Sequence, residues 1–355
     1  MQLSRRAVLL GVASAAIVGR PAAAAAAEPD AIPSTLARLL AADGPTTVAQ
    51  TDFPLTHLGV AWSEGASPRV RLRTADGWQP WRTVAGCPAG RDGGSRHGGL
   101  LAADRALGYE IADLSGPVQL GELNLVDGPR RLLQVTGDQV ATIAGRALGT
   151  GYRSRAGWGA DEDLRFDECG TEVWPAEYFP VQTLTVHHTV TRNDDPEPAA
   201  TVRAVYHDHA TVRGFGDIGY HLLIDQRGVV YEGRWSGVDP VPVFGDGLRM
   251  SNGAHVTGFN AGNVGVSLLG DFTSAAPTTA ALDSLVEVLR VLTTVCGLDP
   301  TGTTDYVNPI SGATATVDTI CGHRDWASAQ TECPGDRLHP LLPTIRSRVA
   351  AAAKP

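Results

Sequence analysis

This 355-residue chain carries no run of lysine or arginine, and its net charge is −9. That balance removes the electrostatic basis for binding nucleic acid or an anionic membrane surface. Charged residues make up only 19% and apolar residues 43%, which excludes a disordered chain and leaves core material for two domains. Beyond the N-terminal segment, no apolar stretch is long enough to span a bilayer. His-Glu-x-x-His is missing, so the commonest zinc-peptidase signature is excluded. Cysteines number five, and no pair of Cys or His pairs stands a few residues apart, so a closed structural zinc site is not indicated. No internal repeat is evident.

What is present begins with a leader. Arg5-Arg6 precede an apolar run over 7–18, and Pro21 opens an alanine tract with several A-x-A cleavage sites. Ser4-Arg5-Arg6-Ala7-Val8-Leu9 reads as a twin-arginine signal, so residues 1–27 are expected to be cleaved on export. The mature protein is then expected outside the cytoplasmic membrane, soluble, with no membrane partner, and disulfides become permissible there. Cys296 with Cys321 is the first-choice pair. Residues 28–50, rich in Ala, Pro and Thr, read as a linker with a short helix over 34–42.

Over 51–148 the pattern is short alternating runs such as Val70-Arg71-Leu72-Arg73-Thr74 and Leu120-Gly121-Glu122-Leu123-Asn124-Leu125, separated by Asp76-Gly77 and Asp127-Gly128-Pro129. Period-two runs with turn signals predict an all-β, sandwich-like domain. Trp78 and Trp81 are expected in its core, with glycan binding as the other reading. A linker is expected over 145–153. Residues 150–348 then alternate strands (183–186, 220–225, 229–232, 264–269) with helices (199–211, and one from Pro277 to before Gly297). That alternation predicts an α/β or α+β domain.

The most informative pattern is the strand running into His187-His188-Thr189, read with Gly322-His323-Arg324-Asp325 and Thr331-Glu332-Cys333-Pro334-Gly335 far along the chain. Two imidazoles and a thiolate suit zinc, and three protein ligands leave a fourth position for water. This donor set suggests a hydrolytic metal centre rather than a folding staple.

These blocks stand in order with Arg155-Ala156-Gly157-Trp158-Gly159-Ala160, Asp217-Ile218-Gly219-Tyr220-His221, Tyr231-Glu232-Gly233-Arg234, Gly253-Ala254-His255, Gly258-Phe259-Asn260 and Gly270-Asp271-Phe272. Together they resemble the peptidoglycan recognition protein family and the type-2 N-acetylmuramoyl-L-alanine amidases that share its fold. The likeness covers roughly residues 150–348, and the β-rich region resembles one that precedes such domains in many actinobacterial amidases. The resemblance implies a central mixed β-sheet flanked by helices, with Zn2+ held by His187, His323 and Cys333. It implies Tyr220 beside the metal, assisted by Thr331, and His209, Arg213, His255 and Asn260 lining a groove for a muramyl peptide. Gly214-Phe215 stands where relatives that accept diaminopimelate carry Gly-Trp, and His188 is expected to be a core residue. The stretch from His323 to Cys333 is slightly longer than in most relatives.

The expected function is a secreted, zinc-dependent amidase that cuts the lactyl–L-alanine bond of peptidoglycan at the cell wall. A non-catalytic peptidoglycan-binding protein is the alternative, and the presence of Cys333 and Tyr220 counts against it. Every block with a chemical role lies beyond Thr150.

Overall fold

The computed structural model describes residues 31–352 except 45, 64, 92–95, 136, 239, 240 and 328. The expected leader, 1–27, lies outside the described residues. The strands that matter here are β1 (Leu36–Ala42), β2 (Thr46–Trp62), β3 (Arg69–Thr74), β4 (Arg96–Ala112) and β5 (Val118–Asn124) in the first half. They form one antiparallel sheet in the order β1-β5-β2-β4-β3, with Gly77–Trp78 added at the β3 edge.

The ladder between β2 and β4 shifts register between Gln50 and His57, near Asp104 and Arg105, whose φ values are +46° and +61°. Bulges bend strands, and residues on either side of this one share a single core that includes Leu55, Leu58, Val70, Leu72, Ile111 and Leu120. The sheet thus curls over its own apolar face.

Three expectations for this half are corrected. Residues 34–42 contain a strand instead of a helix, and 36–42 and 46–50 belong to the sheet instead of a linker. The Leu/Ala/Arg content there favours helix, but Leu36 to Ala42 finds a seven-residue partner in β5, and that pairing prevails over local preference. Trp78 is 43% exposed, and Arg71 stacks at 4.7 Å over its ring and at 4.9 Å over that of Trp81. Trp78 sits at the sheet edge, where no layer covers it, so it is a surface residue.

The expected linker at 145–153 is also structured. Thr142–Ile143 and Arg146–Ala147 pair as a hairpin, and β6 (Tyr152–Arg153) joins the second sheet. That sheet contains β7 (Thr183–His188), β8 (Leu222–Ile224), β9 (Val230–Glu232), β10 (Asn263–Leu268) and β11 (Ile320–Gly322), with α1 (Pro198–His207), α2 (Thr279–Cys296) and α3 (Leu342–Ala352) beside it. Its order is β6-β9-β8-β10-β7-β11, mixed, with only β8–β9 antiparallel. The fold is therefore a mixed sheet flanked by helices, preceded by an all-β region.

Thr278 caps α2 by accepting from Ala281 N–H at 3.1 Å, and Gly297 ends it at φ +66°. One sheet face packs under α2 and α3 through Leu184, Val186, Val264, Val266 and Leu268. The other face meets α1, and there Leu100, Leu123 and Leu125 of the first sheet join Trp158, Val202, Tyr206 and Tyr220 in one cluster.

Cys296 and Cys321 are both free, so the expected disulfide between them is absent. Cys296 packs with the cluster under the helices, while Cys321 lies with Tyr306 and Trp326 in another. Among the described residues, no helix is long and apolar enough to cross a membrane.

Candidate metal centre

Strand alternation aims His187. Leu184 and Val186 of β7 enter the core under the helices, so Thr185 and His187 face the opposite side. Val186 is in register with Gly322 on the parallel strand β11. The next residue on each chain is a histidine, and the rings of His187 and His323 stand 4.7 Å apart at the carboxyl ends of their strands, where sites in such sheets collect.

Cys333 arrives on the loop after β11. That loop is held by Arg324 N–H to the Cys333 carbonyl at 2.9 Å and by Cys333 N–H to Thr331 Oγ1 at 3.1 Å. The Cys333 sulfur accepts the His188 backbone N–H at 3.4 Å and lies 3.6 Å from His187 Nδ1. Ligand atoms of His187, His323 and Cys333 all fall within 4.8 Å of one another, and all three residues are buried.

This donor set fits zinc. Ligating imidazoles must be neutral, and burial followed by the neighbouring His323, His255, His188 and His221 holds His187 well below its usual pKa. Burial pushes His323 down to about 3. A chain of hydrogen bonds also sets the tautomer. The Asn263 carbonyl lies 2.9 Å from His255 Nε2, which makes that nitrogen the N–H and leaves His255 Nδ1 as acceptor. His255 Nδ1 stands 3.0 Å from His187 Nε2, so His187 carries its proton there and turns a bare Nδ1 toward Cys333. A metal-ligating histidine is ordinarily oriented in this way by its other nitrogen. The close approach of His255 needs Gly265, where a Cβ would come within 2.7 Å of the His255 ring.

Cys333 opens onto a groove of about 790 Å³, while His187 and His323 are fully buried. Tyr220, His209, Arg213, Thr331 and Cys333 are among the residues that line it. The Tyr220 ring is 5.2 Å from that of His187 and 5.3 Å from that of His209. His209 accepts the Gly219 N–H at Nδ1, 3.0 Å away, which ties it to the Tyr220 segment. Arg213 pairs with buried Asp208 at 2.8 Å. Asp208 has its pKa raised by burial, an effect that Arg213 opposes.

Two residues expected in the groove lie elsewhere. His255 is fully buried behind His187, as described, and does not line the groove. Asn260 is equally buried, and its side chain accepts from His255 and Val256 N–H and donates to the Gly90 carbonyl. Its amide is committed to holding a loop. Phe215 packs with Trp174 and Ala254 below the surface instead of facing the groove. His188, expected in the core, is 4% exposed yet touches the groove, and its Nδ1 accepts the Phe272 N–H at 3.1 Å.

Sequence reasoning missed Asp217, whose carboxylate sits between Arg155 at 3.0 Å and Arg234 at 2.8 Å and also accepts Trp235 N–H. Burial alone would raise its pKa, but the two guanidinium groups hold it low. Three motif blocks meet there and fix the backbone leading to Tyr220. Arginines in the separate Arg155 and Arg234 blocks were the available signal.

His187, His323 and Cys333, gathered at the carboxyl ends of parallel strands, form a cluster that could hold a metal ion. The comparisons refine that reading. The family described as N-acetylmuramoyl-L-alanine amidase matches residues 177–336. A human N-acetylmuramoyl-L-alanine amidase is 34% identical over 171 residues, 47% of this chain and 24% of that protein. A peptidoglycan recognition protein of Trichoplusia ni is 31% identical over 163 residues, 45% of this chain and 72% of that protein. Among solved structures, a Drosophila peptidoglycan recognition protein LB aligns with a TM-score of 0.38 and 26% identity, over 53% of this chain and 90% of that one. The chain spans only about a quarter of the length of the human and pig amidases it matches. It belongs to the family of peptidoglycan recognition proteins and N-acetylmuramoyl-L-alanine amidases.

Proposed function

We propose that this protein is an exported, zinc-dependent N-acetylmuramoyl-L-alanine amidase, which hydrolyses the amide between the lactyl group of muramic acid and L-alanine in peptidoglycan. The observation that carries this reading is the convergence of the His187, His323 and Cys333 ligand atoms, with Cys333 and Tyr220 lining the adjoining groove. When bound there, zinc supplies Lewis acidity and a lowered pKa for water.

The side chains divide the remaining work. The Asn263–His255–His187 chain keeps His187 Nδ1 free of its proton, and the His188 N–H supports negative charge on the Cys333 sulfur. The Tyr220 ring stands 5.2 Å from that of His187, and its hydroxyl serves as hydrogen-bond donor to the oxygen that gains charge as the amide is attacked. Thr331 holds the cysteine loop and offers a second hydroxyl on the same side. The departing amine needs a proton, and either hydroxyl can pass one from water. Arg213 offers a cation to a stem-peptide carboxylate, oriented by its pair with Asp208. With two hydroxyl donors, Tyr220 and Thr331, and one cation, Arg213, the groove suits a ligand bearing amides and carboxylates. The twin-arginine leader over 1–27 supports delivery to the cell wall.

The test is chemical. Purified protein loaded with one zinc per chain is incubated with a soluble muramyl peptide, and the new ends are identified. A free L-alanine amine together with a lactyl carboxylate is the expected result. Binding without any new amine would favour a recognition protein that does not cut.

A further inference from the structure

The groove has two walls, and one comes from the first sheet. Residues 83–86 and 98–100 line it across from His188, Tyr220, Thr331 and Cys333. This wall is built of small residues: Ala85, Gly86, Gly98 and Gly99.

A second observation concerns the residues that carry His209 and lead into Arg213. Asp208–Val212 forms a π-helical turn, a form that recurs at functional sites. It rests on glycines of the first sheet. A Cβ at Gly59 would stand 2.5 Å from Asp208 Oδ1, one at Gly121 would stand 2.4 Å from Val212 Cγ2, and one at Gly98 would stand 2.6 Å from Arg213 Nε. Gly59 and Gly121 are directly paired across β2 and β5. None of the three has positive φ, so their lack of a side chain answers to close approach and not to backbone shape.

A third tie lies just past the wall. The Gly90 carbonyl accepts from Asn260, and Arg91 donates to the Val173 carbonyl at 3.3 Å while its guanidinium lies 5.2 Å from the Trp174 ring centre. The wall is therefore fixed to the metal-bearing half at three places. Beyond it the groove runs on into a cleft of about 500 Å³ between the same wall and Val190, Thr191 and Arg192.

We propose that the first sheet is part of the substrate-binding machinery: its small-residue wall makes the groove a slot for one muramyl peptide chain, and the binding site is incomplete without it. This rests on the amidase reading. The sheet then acts on ligand binding and leaves the hydrolytic step to the cluster.

The experiment uses the full chain, zinc-loaded. Thr83 and Ala85 line the slot and are exposed, so Thr83→Trp and Ala85→Trp add bulk to the slot without entering the core. Each should raise KM for a soluble muramyl peptide on the order of tenfold, the scale of a spoiled pocket fit, with kcat, zinc content and melting temperature close to the parent values. Val48→Trp, on the same sheet at a site 65% exposed and away from the groove, should leave KM unchanged. A KM unchanged in both slot variants overturns the proposal, and so does an equal rise in Val48→Trp. Should a slot variant fold poorly, calorimetric binding of the same peptide to Gly98→Ala decides: weakened binding is expected because the added Cβ displaces Arg213, and unaltered binding overturns the proposal. A parent that neither binds nor cleaves the peptide overturns the amidase reading and this proposal with it. A parent that cleaves while the slot variants match it overturns the slot alone.

Discussion

The two sheets differ most in what they bury. Among the described residues, the first sheet buries three polar side chains, His57, Glu122 and Asn124, and the remaining buried polar groups fall after residue 154. Its strands are antiparallel neighbours, with one apolar face closed on itself and Leu100 and Leu123 on the other, an arrangement that needs little polar chemistry inside. The second half buries His187, His209, His221, His255, Asp208 and Asp217, and each is bonded to a backbone group, another ring or an arginine. Buried polar groups are costly unless satisfied. The half with the His187, His323 and Cys333 cluster therefore carries the larger supporting network. The comparison teaches that reactivity and shape are supplied by different regions of one groove.

The sharpest break in that comparison comes from the ligands. His187→Ala or Cys333→Ala should abolish both zinc retention and hydrolysis, because two remaining ligands rarely hold the ion. Hydrogen exchange in β2 and β4 should be unaltered, since neither residue touches the first sheet's core. Metal analysis showing full zinc in both variants would remove the centre from its assigned place. Next in size is Tyr220→Phe, which should keep zinc and lower kcat about 10²-fold, the usual scale for a lost donor to developing charge. Equal turnover in the two proteins would assign that step to another group. A smaller effect is expected of His255→Ala, which breaks the tautomer chain without removing a ligand. Zinc affinity should weaken about 10- to 100-fold, read by competition with a chelator. Unchanged affinity would show that His187 keeps its tautomer unaided.

The sequence made the ligands legible because each sits in a block whose neighbours constrain it. A histidine at the end of an alternating apolar strand has a determined face, and His187 follows that rule. His255 and Asn260 did not yield to the same reasoning. Whether a loop residue faces a groove or the back of another side chain depends on packing from a distant strand, here Gly265 and Asn263 of β10. The strand at Leu36–Ala42 was hidden for a related reason, since its partner β5 lies far along the chain and local composition pointed to helix. The role of Gly59 and Gly121 was invisible because they act through contacts with the π-helical turn, which no local pattern announces.

The smallest expected effect separates the sheets by acid. Burial pushes His57 down to about 4, and it does the same to His188, His207 and His221 in the other half. A histidine whose folded pKa lies below its unfolded value of 6.5 takes up its proton more readily when unfolded. Its contribution to stability is therefore complete above pH 6.5 and lost as pH falls toward 4, by up to about 3 kcal/mol per group. The first sheet has one such group and the mixed sheet several, so stability of the mixed sheet should fall more steeply between pH 6.5 and 4. His207 bonds to Thr211 beside the π-helical turn and belongs to neither the cluster nor the groove lining. His207→Gln should flatten the pH slope by about one proton while leaving zinc content alone. Residue-resolved hydrogen exchange across this range should show protection lost first in β7, β8 and β10, then in β2 and β4. Loss of both sheets at one pH would instead mean that the shared cluster of Leu100, Leu123 and Leu125 with Trp158 and Tyr206 joins them into a single cooperative unit, and the wall could not then be separated energetically from the centre it faces.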